Sequence, residues 1–281
     1  MAVNLAGIGI AASLAFDNRW RLLVGVFFEP YQPETCCLCG ARGPLTGEHK
    51  IKASAIRTIF GADRMVIGSF DGQGIVRSAQ GPKSEAFHFS ARMCAQCNGV
   101  KTQQADRAFD KFNALVAARM ACGQDPASVF ELPQYAVGTE AYLNVFRYFS
   151  KLLCCHLAES SGPRPLDVSK FAIGLATRNV VWLNIDVDPT YQDYRDLYGE
   201  HQFASHGGLI VPVDSRTKLA TSFRSSLTLG EVRYRFWTAL MPVTGMALKL
   251  FHRAFWIKCQ AAYQDAIDNP LSEEQRHRLG L

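Results

Sequence analysis

Long apolar runs are missing from this sequence: charged residues interrupt its hydrophobic stretches before any reaches the roughly 20 residues that a bilayer-spanning helix needs. A basic n-region is absent too, so the apolar opening, MAVNLAGIGIAASLAF, reads as a buried strand or helix leading into RLLVGVFF and not as a secretory signal. Charge of one sign is barely in excess. A net charge of +5 over 281 residues, with 48% of them hydrophobic, excludes a disordered tail or a polybasic arm and predicts a folded chain. Internal repeats and low-complexity tracts are lacking as well, which excludes a repeat architecture.

What is present is uneven. The length suits one large or two ordinary domains. From Arg42 to Arg119 there are 12 Lys and Arg against 6 Asp and Glu, so most of the positive excess falls in one region and would draw a polyanion there. Nine cysteines are present, and four of them make two C-x2-C pairs, Cys36 with Cys39 and Cys94 with Cys97. That repeated spacing favours a tetrahedral thiolate zinc site over disulfides. The odd total fits a reducing compartment, so the cytoplasm is the expected location and no membrane partner is expected.

Along the chain, EPYQPE (29–34) breaks regular structure before the first pair, and SAIRTIF (54–60) reads as a short helix. The glycine-rich span 62–92 contains strand-like pieces such as RMVI and GIVR. From Asn98 to about Met120, residues Ala105, Phe109, Phe112, Leu115 and Val116 recur at helical spacing, so a long helix starts at the second pair. A linker is expected over 123–140, then a helix near 139–158 stopped by SSGPRP. Beyond it NVVWLNIDV, GGLIVPV, LATSFRSSLTL, EVRYRFWTAL and MALKLF read as strands, with a closing helix near 253–268. In EVRYRFW, Arg233 and Arg235 share one strand face, a basic face that would suit DNA or plain solvent.

Between the cysteine pairs lies LTGEHKIKAS, with Glu48 next to His49, and the second pair continues as CAQCNGVKT. The order C-x2-C, then Glu-His, then C-x2-C-N-x2-K-T is far more specific than any of its parts. On CCLC, GEHKIKAS and CAQCNGVKT, the sequence resembles the HNH endonucleases, the zinc-knuckle branch of the ββα-metal superfamily, over roughly residues 34–112. The resemblance implies that Cys36, Cys39, Cys94 and Cys97 hold a structural Zn2+ pinning a β-hairpin to a helix. It further implies that Glu48 and Asn98 coordinate a catalytic divalent ion and that His49 is the general base. Oxygen donors at that second site suit Mg2+ or Mn2+ better than zinc, and an imidazole suits proton removal near neutral pH. Lys101, one turn beyond Asn98, is expected on a phosphate with Lys50 and Lys52. The sequence departs from the family in two places. Lys52 stands where many members have proline, and EAFHFSARMC, just before the second pair, offers no asparagine, so His88, Ser90 or a carbonyl from elsewhere would have to substitute.

The expected fold class is α+β. An apolar lead over 1–33 packs on the body, a zinc-stapled ββα-metal (HNH) module occupies 34–122, and a linker covers 123–140. An α+β domain over 141–281, a helix followed by a mostly antiparallel sheet, completes the chain. The expected function is metal-dependent hydrolysis of nucleic-acid phosphodiesters, DNA before RNA, in bacterial defence or a mobile element, with a homo-oligomer formed through 141–281. The alternative is a catalytically inactive, zinc-stabilised module that binds nucleic acid or protein.

Overall fold

The structure, a computed structural model, describes residues 27–60, 65–69, 76–79, 87–188, 191 and 203–273; the apolar lead expected over 1–33 lies outside them as far as residue 26. In chain order, β1 (Phe28–Glu29) precedes the first cysteine pair, and β2 (Leu45–His49) and α1 (Ala53–Phe60) follow it. Next come β3 (Met65–Ser69), β4 (Val76–Ala79) and β5 (His88–Cys94), then one π-helical turn over Cys97–Lys101 and α2 (Gln103–Ala121). The middle of the chain forms α3 (Glu140–Glu159), β6 (Arg164–Pro165) and α4 (Leu166–Ala172). The remainder forms β7 (Trp182–Val187), β8 (Phe203–His206), β9 (Ser222–Leu229), β10 (Val232–Ala239), α5 (Pro242–Phe251) and α6 (Arg253–Asp268).

The molecule is mixed helix and sheet, compatible with the α+β class. Its centre is α3. Thr139 caps it by accepting a hydrogen bond from the Tyr142 N–H at 3.2 Å, and Glu140 complements the dipole in the first turn. Leu143, Val145, Phe146, Phe149, Leu152, Leu153, Cys155 and Leu157 are all buried, and so are Asn144, Ser150, Lys151 and His156, so α3 is enclosed on every side and its buried polar groups need partners. α2 lies along it: the Phe109 ring stacks on Tyr148 with centroids 4.0 Å apart, and Tyr234 of β10 donates its hydroxyl to Asn113 Oδ1 at 2.7 Å.

Among the described residues, the largest sheet has six strands in the order β4-β3-β8-β9-β10-β7, antiparallel except for the β3–β8 pair. β2 and β5 form a separate antiparallel hairpin, and β1 pairs with β6. Three observations bear on the expected layout. β3 and β4 fall within the span expected as the zinc module, yet they belong to the sheet of the second half, and one buried core runs from Phe28 to Cys259. The span expected as a linker holds 3-10 turns over Pro126–Glu131 and Pro133–Tyr135, with Val129 and Tyr135 buried in that same core. MALKLF is helical, inside α5, because Pro242 starts a helix well and Gly245 and Leu248 fall on one inward face.

Of GGLIVPV only isolated bridges form, Ile210 with Arg224 and Val213 with Ala220. Arg233 and Arg235 both reach Asp186, at 2.8 and 2.5 Å, so the basic face of β10 is neutralised by β7. No helix among the described residues is long and apolar enough to cross a membrane.

Candidate metal centre and hairpin site

The first cysteine pair lies on a tight turn. The Gly40 N–H donates to the Cys36 carbonyl at 2.8 Å, and Gly40 adopts φ +73°, which glycine takes without strain. A Cβ there would stand 2.7 Å from the Arg164 guanidinium, which itself donates to the Leu38 carbonyl at 3.0 Å and pairs with Glu29. The second pair straddles the end of β5 and the π-turn, where the Thr102 hydroxyl donates back to the Cys97 carbonyl at 3.0 Å. The Sγ atoms of Cys36, Cys39, Cys94 and Cys97 all lie within 4.8 Å of one another, with Cys39 and Cys94 at 3.7 Å. A tetrahedron with zinc–sulfur bonds of about 2.3 Å has edges of about 3.8 Å, so the donor set fits zinc.

The hydrogen bond from Cys97 holds the Cys36 thiol down to about 4. Cys37 faces the other way: its Sγ is 3.7 Å from that of Cys155, and this contact together with burial pushes its thiol up. The four cysteines thus form a possible zinc-type metal site, and their neighbour Cys37 is a core residue.

The cysteine cluster joins the hairpin to the start of the helix. β2 and β5 pair Leu45 with Cys94, Thr46 with Met93, Gly47 with Arg92 and His49 with His88, with the register shifting between Gly47 and His49. Such an irregularity re-aims side chains. Here it turns Glu48 inward, where it is buried, and leaves His49 half-buried.

The His49 ring lies 3.9 Å, centroid to centroid, from His88. Burial, and then the charge of His88, push the His49 imidazole down to about 4, with smaller contributions from Lys151 and Arg57, so it is neutral at pH 7. Asn98, on the π-turn, donates its side-chain amide to Thr46 Oγ1 at 2.9 Å and to the Gly47 carbonyl at 3.1 Å. The asparagine is therefore held one residue from Glu48.

Glu48 itself is occupied. Its Oε1 accepts from Lys151 Nζ at 2.7 Å, and the same ammonium reaches Asp106 Oδ1 at 2.5 Å. Burial lowers the proton affinity of Lys151, but the two carboxylates more than offset it and the net shift is upward. Burial also raises the Glu48 carboxyl above its usual range, against the pull of Lys151. These shifts oppose one another across one ion pair, and the geometry decides between them. With two carboxylates in contact, Lys151 stays charged, and Glu48 is the member that more easily loses its charge.

Of the lysines expected on nucleic acid, Lys50 pairs with Glu159 at 3.1 Å, and Lys52 donates to Asp110 Oδ2 and the Asp106 carbonyl, both at 2.5 Å. Both lysines are thereby committed to the fold. Lys101 is exposed. Of the two candidate substitutes for the missing asparagine, His88 has its ring against His49, while the Ser90 backbone N–H donates to Glu159 at 3.0 Å.

Reading the sequence alone missed Lys151, Asp106, Asp110, Arg57 and Arg92. One signal was present. Lys151 is a lone charge in the apolar run YFSKLLCCHL, and a charge buried there requires partners. Asp106 and Asp110 are four apart on α2 and so share a face. Comparison with protein-family models, with curated proteins and with solved structures finds no match for this chain.

Proposed function

We propose that this chain is an endonuclease of the HNH type, hydrolysing nucleic-acid phosphodiesters, DNA in preference to RNA, with His49 taking the proton from the attacking water. The observation that carries the reading is the double hydrogen bond from Asn98 to Thr46 and Gly47. It brings the three widely separated pieces of the motif to one place: the knuckles, the Glu-His pair and the helix start. The half-buried His49 imidazole is neutral, the protonation state a base needs, but at about 4 it is a weaker base than a histidine of ordinary value. Negative charge developing on the phosphate calls for nearby cations. Exposed Arg92, paired with Gly47 across the hairpin, and exposed Lys101 answer that need, as does exposed Arg57, whose charge acts on His49.

The divalent ion implied by the resemblance is another matter. The donor chemistry does not fit a Mg2+ or Mn2+ on Glu48, because an ammonium already holds that carboxylate. The same contact favours a second reading, a zinc-stapled module that binds nucleic acid without cutting it.

A supercoiled-plasmid nicking assay run beside a gel shift separates the two, each with and without added magnesium or manganese. The nuclease reading expects nicking that falls about 10²-fold or more in His49→Ala while the shift persists. A shift with no nicking in the wild type selects the second reading. Absence of both at low salt, on DNA and on RNA, sinks the pair.

A further inference from the structure

The five charged groups beneath the hairpin nearly balance. Glu48 and Asp106 share the Lys151 ammonium, and Asp110 is matched by Lys52, which also donates to the Asp106 carbonyl. Lys151 is 1% exposed, and its ammonium also lies 5.2 Å from the centre of the Tyr148 ring. It comes from α3, far in sequence from both knuckles, while Glu48 comes from the irregular step of β2 and Asp106 from the first turn of α2. Three elements therefore converge on one positive charge. A divalent ion bound to Glu48 would have to sit beside that buried ammonium and would find at most one unit of unbalanced negative charge, too little to offset the repulsion.

We propose that Lys151 is the chain's own cation at this centre: its ammonium takes the place at Glu48 that a divalent ion would hold, so that the folded protein does not ligate such an ion through Glu48. The chemistry is a substitution of one positively charged, multiply coordinated group for another. Three N–H donors of an ammonium can serve two carboxylates and face an aromatic ring, whereas a hard metal ion would demand further oxygen ligands. The inference goes beyond nuclease activity, since the ion triad has the same consequence in a protein that only binds nucleic acid.

The test uses the full, zinc-loaded chain and Mn2+ itself as probe, with loss of the free-ion electron paramagnetic resonance signal reporting binding. Wild type and Glu48→Gln are expected to take up Mn2+ identically. Uptake by wild type that is lost in Glu48→Gln overturns the proposal. Lys151→Met leaves two carboxylates without their cation, so it is expected to unfold at lower temperature and to gain several degrees on addition of Mn2+. That gain should vanish in Lys151→Met/Glu48→Gln. A Lys151→Met protein whose unfolding temperature does not respond to Mn2+ overturns the equivalence of the two cations. Should Lys151→Met not accumulate as folded protein, the comparison of wild type with Glu48→Gln decides alone.

Discussion

Lys151 carries the only charge in the run from Tyr148 to Leu157, and it is bound on both sides by carboxylates. Removing one member of such a buried set leaves the others uncompensated, so Lys151→Met is expected to lose about 3–5 kcal/mol in urea unfolding. A gentler change nearby provides the contrast. The Tyr148 hydroxyl is buried without a hydrogen-bond partner while its ring stacks on Phe109. Tyr148→Phe keeps the stack and removes an unsatisfied group, so its stability should be unchanged or higher by about 1 kcal/mol. A loss in Tyr148→Phe comparable to that in Lys151→Met would show that the hydroxyl contributes to the ion triad.

Among the elements, the hairpin and the start of α2 depend on the cysteine cluster. β2 and β5 are short, and outside the cluster the helix start is tied to them through Asn98 and through the Lys151 ammonium that Glu48 and Asp106 share. Cys94→Ser removes a thiolate at the end of β5 and should abolish the roughly one zinc per chain expected from a four-thiolate site. It should also expose the 34–60 and 88–121 spans to limited proteolysis. Equal metal content and equal protease resistance in wild type and Cys94→Ser would disprove the staple.

These elements were the most legible in the sequence, because spacing within a knuckle and periodicity within α2 and α3 are local patterns. The cysteine cluster follows from the spacing, whereas the nearness of Asn98 to the Glu-His strand is what the resemblance to the HNH endonucleases implies. Legibility ended where pairing is non-local. Nothing in RMVI or GIVR announces that β3 will pair in parallel with β8, and a short apolar run such as MALKLF fits either period. Nor does an isolated lysine 103 residues from Glu48 reveal its partner.

For the whole molecule, the pH dependence of stability follows from histidines buried in neutral form. His156 is 3% exposed, with its ring 4.8 Å from Phe89. Burial, then the charges of His206 and Lys50, push its imidazole well below the usual range. Below about pH 6.5 the unfolded chain protonates this group and the folded chain does not, so stability is lost as pH falls from there; above it neither state is charged and the contribution is constant. His49 adds in the same direction down to about 4. Urea midpoints between pH 8 and pH 5 (chosen to span about 6.5) should therefore fall on the acid side, and less steeply in His156→Phe. An equal slope in that variant would refute the assignment. The interleaving of β3 and β4 with the later strands also bears on biosynthesis. A ribosome delivers all four thiolates by Cys97, long before β8 emerges to receive β3. Should these thiolates take an ion, its capture can precede completion of the sheet, because the whole donor set leaves the ribosome while β8 is still to be made.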